Sequence, residues 1–144
     1  MKGPIGSVEV SYFLHATEDQ QRVNSAVMQL TAAEVGPEVN EVEGHYGNKI
    51  IWVRLHLTGD DAARAVRRIA VRLPDQLKDQ LTKEMGAHLD EHSALFLRFD
   101  KQRLVSGSLA LVSADPVRVK VKPRIFVIRG GAPLFYSKLL REGG

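Results

Sequence analysis

The sequence predicts an α+β fold in two layers: a mainly antiparallel or mixed β-sheet with helices packed on one face. Three observations carry this. Apolar and polar residues alternate with a period of two near both ends of the chain, hairpin signals link most of the strands, and two amphipathic stretches of helical period lie between them.

The first strand is read from Ile5 to Ala16, where Val8, Val10, Tyr12 and Leu14 alternate with Glu9, Ser11, Phe13 and His15 and so fall on opposite faces. Thr17 and Gln20 have capping-box spacing, and Glu18 and Asp19 add negative charge where the helix dipole favours it. The helix that follows places Val23, Ala26, Val27 and Leu30 on one face and stops at Gly36-Pro37. Two strands, Val39 to Tyr46 and Ile50 to Leu57, flank Gly47-Asn48, a pair suited to a tight hairpin turn. In the second of them Ile51, Val53, Leu55 and Leu57 share one face, and Ile50, Trp52, Arg54 and His56 the other.

Gly59-Asp60-Asp61 opens a second helix with an apolar stripe of Ala62, Val66, Ile69, Ala70 and Leu73. Pro74 interrupts it and can begin a new helix, in which Leu77, Leu81 and Met85 keep helical spacing until Gly86. Ala94 to Phe99 is apolar at nearly every position and reads as a central strand buried on both faces. Leu109 to Val112 and Val117 to Val121 read as shorter strands about the turn signal Ala114-Asp115-Pro116. The expected organisation is one domain over residues 1–124 and a mobile tail over 125–144, with a short helix around Leu134 to Leu140.

The 144 residues suit one domain, able to bury roughly 70% of its unfolded surface. No apolar run is long enough to cross a bilayer and no h-region follows Lys2, so a cytoplasmic protein is expected. With no cysteine, a disulfide framework, thiolate zinc sites and cysteine nucleophiles are all excluded. The net charge of +3 is unevenly placed: Arg98 onward holds ten Lys/Arg against three carboxylates, a net +7, leaving −4 on the rest. A basic half on an acidic half suits a surface that meets a polyanion, although clustering on a solvated surface gives the same count.

The last strand sharpens this signal. Arg118, Lys120 and Lys122 alternate with Val117, Val119 and Val121, which places three cations on one strand face at ~6.6 Å spacing, a fit to successive phosphates. A lysine-rich edge that discourages aggregation has the same pattern. Arg64, Arg67, Arg68 and Arg72 form a second basic stripe, opposite the apolar face of the second helix, where solvated arginines are common. Tyr46, Trp52 and Phe96 are candidates to stack on bases, Trp52 foremost because Arg54 and His56 share its face. His88-Leu-Asp-Glu-His92 matches one zinc-peptidase ordering, but Gly86 before it and a strand after it place the histidines in a connector. The chain has no P-loop, G-x-G-x-x-G or G-x-S-x-G pattern.

Three further segments, Ser11-Tyr-Phe-Leu-His-Ala-Thr-Glu-Asp19, Glu43-Gly-His-Tyr-Gly-Asn48 and Arg98-Phe-Asp-Lys-Gln102, resemble an archaeal family of predicted RNA-binding proteins proposed to work with the RNA exosome. The resemblance covers roughly Val8 to Lys122. It implies a fold like that of ribosomal protein L5, RNA as partner, an accessory role in RNA processing or degradation, and no catalytic residue. The expected RNA contacts are Arg98, Lys101, Arg103, Arg118, Lys120 and Lys122, with Tyr46 and Trp52 as stacking groups and His15, His45, Asn48 and Lys49 near strand ends. Neither a cofactor nor a metal is expected. One alternative is an adaptor that docks on an RNA-processing assembly through Leu134 to Leu140, or dimerises through a strand edge. The other is a nuclease or metal hydrolase using His88, Glu91 and His92 or the scattered carboxylates.

Overall fold

The computed structural model describes residues 4–44, 46–124 and 131–142. In chain order these form β1 (Ile5–His15), α1 (Gln20–Thr31), β2 (Glu38–Glu43), β3 (Lys49–Thr58), α2 (Gly59–Arg72), α3 (Asp75–Lys83), a 3-10 turn (Met85–His88), β4 (Leu95–Phe99), α4 (Lys101–Val105), β5 (Val117–Pro123) and α5 (Ala132–Arg141). The strands make one sheet, ordered β2-β3-β1-β5-β4, in which every neighbouring pair is antiparallel. Without β4 this is a split βαβ arrangement. β4 extends it by one strand beyond β5.

Register decides which side of the sheet is covered. Val8 lies opposite both Leu57 and Val121, and Val10 opposite both Leu55 and Val119. These side chains are buried, and with Leu95, Leu97 and Phe99 of β4 they meet Val23, Val27 and Leu30 of α1 and Val66 and Ile69 of α2 in a single core. Among the described residues no helix is long and apolar enough to cross a membrane.

Several boundaries differ from expectation. Asp19, not Thr17, caps α1 by accepting from the Arg22 amide, because Glu18 first turns back to accept from the His15 amide at 2.9 Å. The same helix ends at Ala32 in the left-handed region, φ 52°, ahead of Gly36-Pro37. The hairpin joins its strands through Gly44 to Asn48, since the Gly44 amide closes the loop on the Asn48 carbonyl at 2.6 Å. β4 is an edge strand and not a central one: Leu95, Leu97 and Phe99 are buried, while Arg98 is exposed and Phe96 half-buried. The strand expected over Leu109 to Val112 reduces to an isolated bridge, Phe99 to Leu111.

The helix expected in the tail spans Ala132–Arg141 and belongs to the core, with Ala132, Tyr136, Leu139 and Leu140 buried. Most of its apolar side therefore packs inside this chain, while Leu134 stays exposed. The Tyr136 hydroxyl lies 2.6 Å from the Ser93 carbonyl and 3.3 Å from that of Val121, joining α5 to the start and the partner of β4. Burial pushes its phenol pKa upward. Tyr136→Phe is expected to lower the unfolding free energy by about 1 kcal/mol in urea melts, and Tyr136→Ala by about 3–5 kcal/mol. A detached tail would show neither change.

Candidate nucleic-acid interface

The alternation that buries Val8 and Val10 turns the other side of the sheet outward. Registered neighbours on that side run Arg54, Ser11, Arg118 and Arg98 across β3, β1, β5 and β4. The next row holds His56, Glu9, Lys120 and Phe96. Three cations gather on the Phe96 ring: Arg98 Cζ and Arg118 Cζ each 5.5 Å from its centroid, and Lys120 Nζ 5.3 Å. Cation–π attraction to one ring holds the three groups together despite their mutual repulsion. Phe96 is thus occupied by cations, so the structure makes it a support for charge instead of a bare stacking surface. Lys122 continues this face, exposed and opposite Ser7.

The aromatic groups lie toward the other end of β1. Phe13 and Trp52 are directly opposite in register and stack with centroids 6.2 Å apart and planes 23° apart. Arg54 covers Trp52 at 5.3 Å and is paired with Glu38 at 3.1 Å and Glu9 at 3.8 Å. Phe13, 44% exposed, was not singled out from sequence, although the alternation of β1 puts it on this face. Tyr46, 91% exposed, and Asn48 sit in the hairpin loop, with Lys49 beginning β3 and reaching Glu41 at 3.5 Å. His45 lies outside the described residues.

Two expected contacts do not join the face. Arg103 is exposed on α4, which packs against α1 in the helical layer. Lys101 is 5% exposed; its ammonium lies 2.9 Å from Asp115 Oδ2 and 3.1 Å from Glu18 Oε1, and donates to the Phe13 carbonyl. The β1–β5 pairing ends at Ser11 and Arg118, so the Phe13 carbonyl has no β5 partner and Lys101 supplies one. His15 completes the cluster, with Nε2 3.1 Å from Asp115. His15, Glu18 and Asp115 have metal-ligand chemistry and sit close enough to share an ion. The Lys101 ammonium already stands among these carboxylates as their cation. Removing the ammonium leaves the half-buried Glu18 carboxylate and the Phe13 carbonyl without their donor, so Lys101→Ala is expected to lower stability by about 2 kcal/mol in denaturant melts.

Three of the four arginines of α2 serve the fold, and Arg67 is exposed. Arg68 donates to the carbonyls of Gln29 and Leu30, Arg64 to Ala32 and Asp61, and Arg72 to Gly107. Two of them therefore satisfy the carbonyl end of α1, where the helix dipole favours a cation. The His88-x-x-Glu91-His92 stretch is a connector: His88 ends the 3-10 turn, and the Asp90 carboxylate accepts from the amides of His92 and Ala94. Burial acts to raise the Asp90 pKa, but these amides and the positive charge of Lys120 hold it below the ordinary value. The histidines face different carboxylates, Glu84 and Glu91.

A family model described as RNA binding matches residues 7–123, from within β1 to the end of β5. An RNA-binding protein of Pyrococcus abyssi is 29% identical over 146 residues, covering 94% of this chain and 91% of the relative. Among solved structures, a protein of Archaeoglobus fulgidus assigned to the family DUF54 is 28% identical with a TM-score of 0.78, over 94% of this chain and 99% of that one. A DUF54 protein of Methanothermobacter thermautotrophicus is 26% identical with a TM-score of 0.75, over 96% of this chain and 99% of its own. The five strands therefore fall almost wholly within the matched region, and the chain belongs to this RNA-binding family.

Proposed function

We propose that this chain is a non-catalytic, cytoplasmic RNA-binding protein that holds RNA on the open face of its sheet. Arg98, Arg118, Lys120 and Lys122 contact phosphates, and Tyr46, Asn48 and Lys49 give a second contact at the hairpin tip. The observation that carries this reading is the gathering of three cations on Phe96, on the side of the sheet opposite the helices. A non-catalytic role is supported by Lys101, whose ammonium stands among His15, Glu18 and Asp115, the group best placed to hold a metal among the described residues. Binding should weaken linearly in log–log plots against salt, with a slope of about −2 to −3 for three or four phosphates on a single strand. Lys120→Glu combined with Arg118→Glu should make that slope shallower by about 1.4. Arg67→Glu, on the helical side, should leave it unchanged. A salt-independent affinity would refute the reading.

The exposed edge of the sheet favours a second role beside the first. All six residues of β2 are exposed, Val39 and Val42 among them, and a strand edge with apolar side chains accepts another strand. We propose that this edge docks the protein on an RNA-processing assembly such as the exosome, which would make the chain an accessory factor. Pairing of two β2 strands into a homodimer is disfavoured, because each carries Glu38, Glu41 and Glu43. Val39→Lys with Val42→Lys should abolish binding to purified exosome after nuclease treatment and spare RNA affinity.

A further inference from the structure

We infer that the RNA held on the open face is single-stranded, with an unpaired base stacked on Phe13 while its backbone follows Arg118, Arg98 and Lys120. This deepens the open-face reading and rests on it. The first support is the placement of Phe13. Phe13 is 44% exposed on the sheet face away from the helices, and its stacking with Trp52 leaves that exposed surface for a further planar group. Trp52 stacks on Phe13 and also carries the Arg54 guanidinium 5.3 Å from its centroid, so planar and cationic groups already gather here. A base is the natural addition to them.

The second support is spacing. Ser11 is opposite Arg118, so Phe13 is the diagonal neighbour of Arg118, and diagonal neighbours on an antiparallel pair lie roughly 7–8 Å apart. That separation is of the order of the distance from a base to its own phosphate. Ser11, the residue between Phe13 and Arg118 on this face, has a small side chain. An A-form duplex stacks its bases internally and offers a surface of phosphates and 2′-hydroxyls. It could use the cations but not Phe13.

The Phe13 backbone is also fixed. Its carbonyl accepts from buried Lys101, itself held by Glu18 and Asp115. This anchors the platform at the point where pairing with β5 has ended, so the ring is presented from rigid backbone. Preorganisation of this kind strengthens binding by reducing what must be ordered when the ligand arrives.

The chain has one tryptophan, Trp52, so its fluorescence reports on this platform without a label. The experiment titrates the full chain with a twelve-nucleotide single strand, with its duplex, and with a strand whose central nucleotides are abasic. The expected result is quenching of Trp52 by the intact single strand, with binding roughly 10-fold tighter than for the duplex or abasic strand. Phe13→Ala should weaken single-strand binding roughly 10-fold and leave the duplex unaffected, while Phe13→Tyr restores it. Equal affinity for duplex and single strand, or equal loss for both in Phe13→Ala, overturns the inference but leaves salt-dependent binding on the open face standing. Failure of every probe to bind overturns both.

Discussion

The register of β1 against β3 and β5 is the constraint from which the remaining features follow. Val8 and Val10 face apolar residues on both neighbours, and displacement by one residue would turn those valines to water and bring Glu9 and Ser11 against the helices. Burial of apolar side chains, at ~25 cal/mol per Å², opposes any such slip over the whole length of the strand. The same alternation turns Phe13, Trp52, Arg54, Arg118 and Lys120 outward. The arrangement of the open face is therefore a by-product of core packing, and it is as firmly fixed as the core itself.

Charge on this protein divides by the work it does. Arg64 and Arg68 meet carbonyls at the end of α1, and Lys101 is enclosed with Glu18 and Asp115. These cations are committed to the fold. Arg98, Arg118 and Lys120 gather instead on an aromatic ring, which holds a cation without cancelling its charge. A count of Lys and Arg along the chain cannot separate these groups. It gives Lys101 and Lys120 equal weight, though one is buried and the other projects from the sheet.

Much of the architecture was legible in the sequence because period-two and period-3.6 patterns reflect burial directly. β1, β3, β5 and the division of α2 from α3 at Pro74 were read correctly for that reason. The edge position of β4 was not, because Ala94 to Phe99 is almost wholly apolar and alternation is what separates an edge from a centre. Its outward Phe96 is apolar yet covered by cations from β5 and from its own strand, a contact that periodicity cannot register. Two glycine pairs flank α5 and give it the sequence of a tail, whereas its place is set by a tertiary contact from Tyr136 to Ser93 and Val121. At the candidate site, the cations of β5 were legible from alternation, and Arg98 came with a matching segment. Phe13 lay in plain sight within the first strand, but its importance depends on Trp52 across the sheet.

One feature of the open face conflicts with simple stability. Arg98 and Arg118 are directly opposite in register, and like charges in that position repel. The Phe96 ring moderates this repulsion, and Glu9, opposite Lys120, lies within the same field of charge. Neither gives Arg98 or Arg118 a carboxylate of its own. Departures from local consistency tend to occur where a protein functions, and here the nature of the departure indicates what would resolve it. A neutral ligand would leave the repulsion in place. A carboxylate side chain opposite one arginine would remove it permanently and take the charge with it. A polyanion laid across the strands, as proposed, would relieve it only while bound, and the tension between Arg98 and Arg118 would then add to the driving force for association.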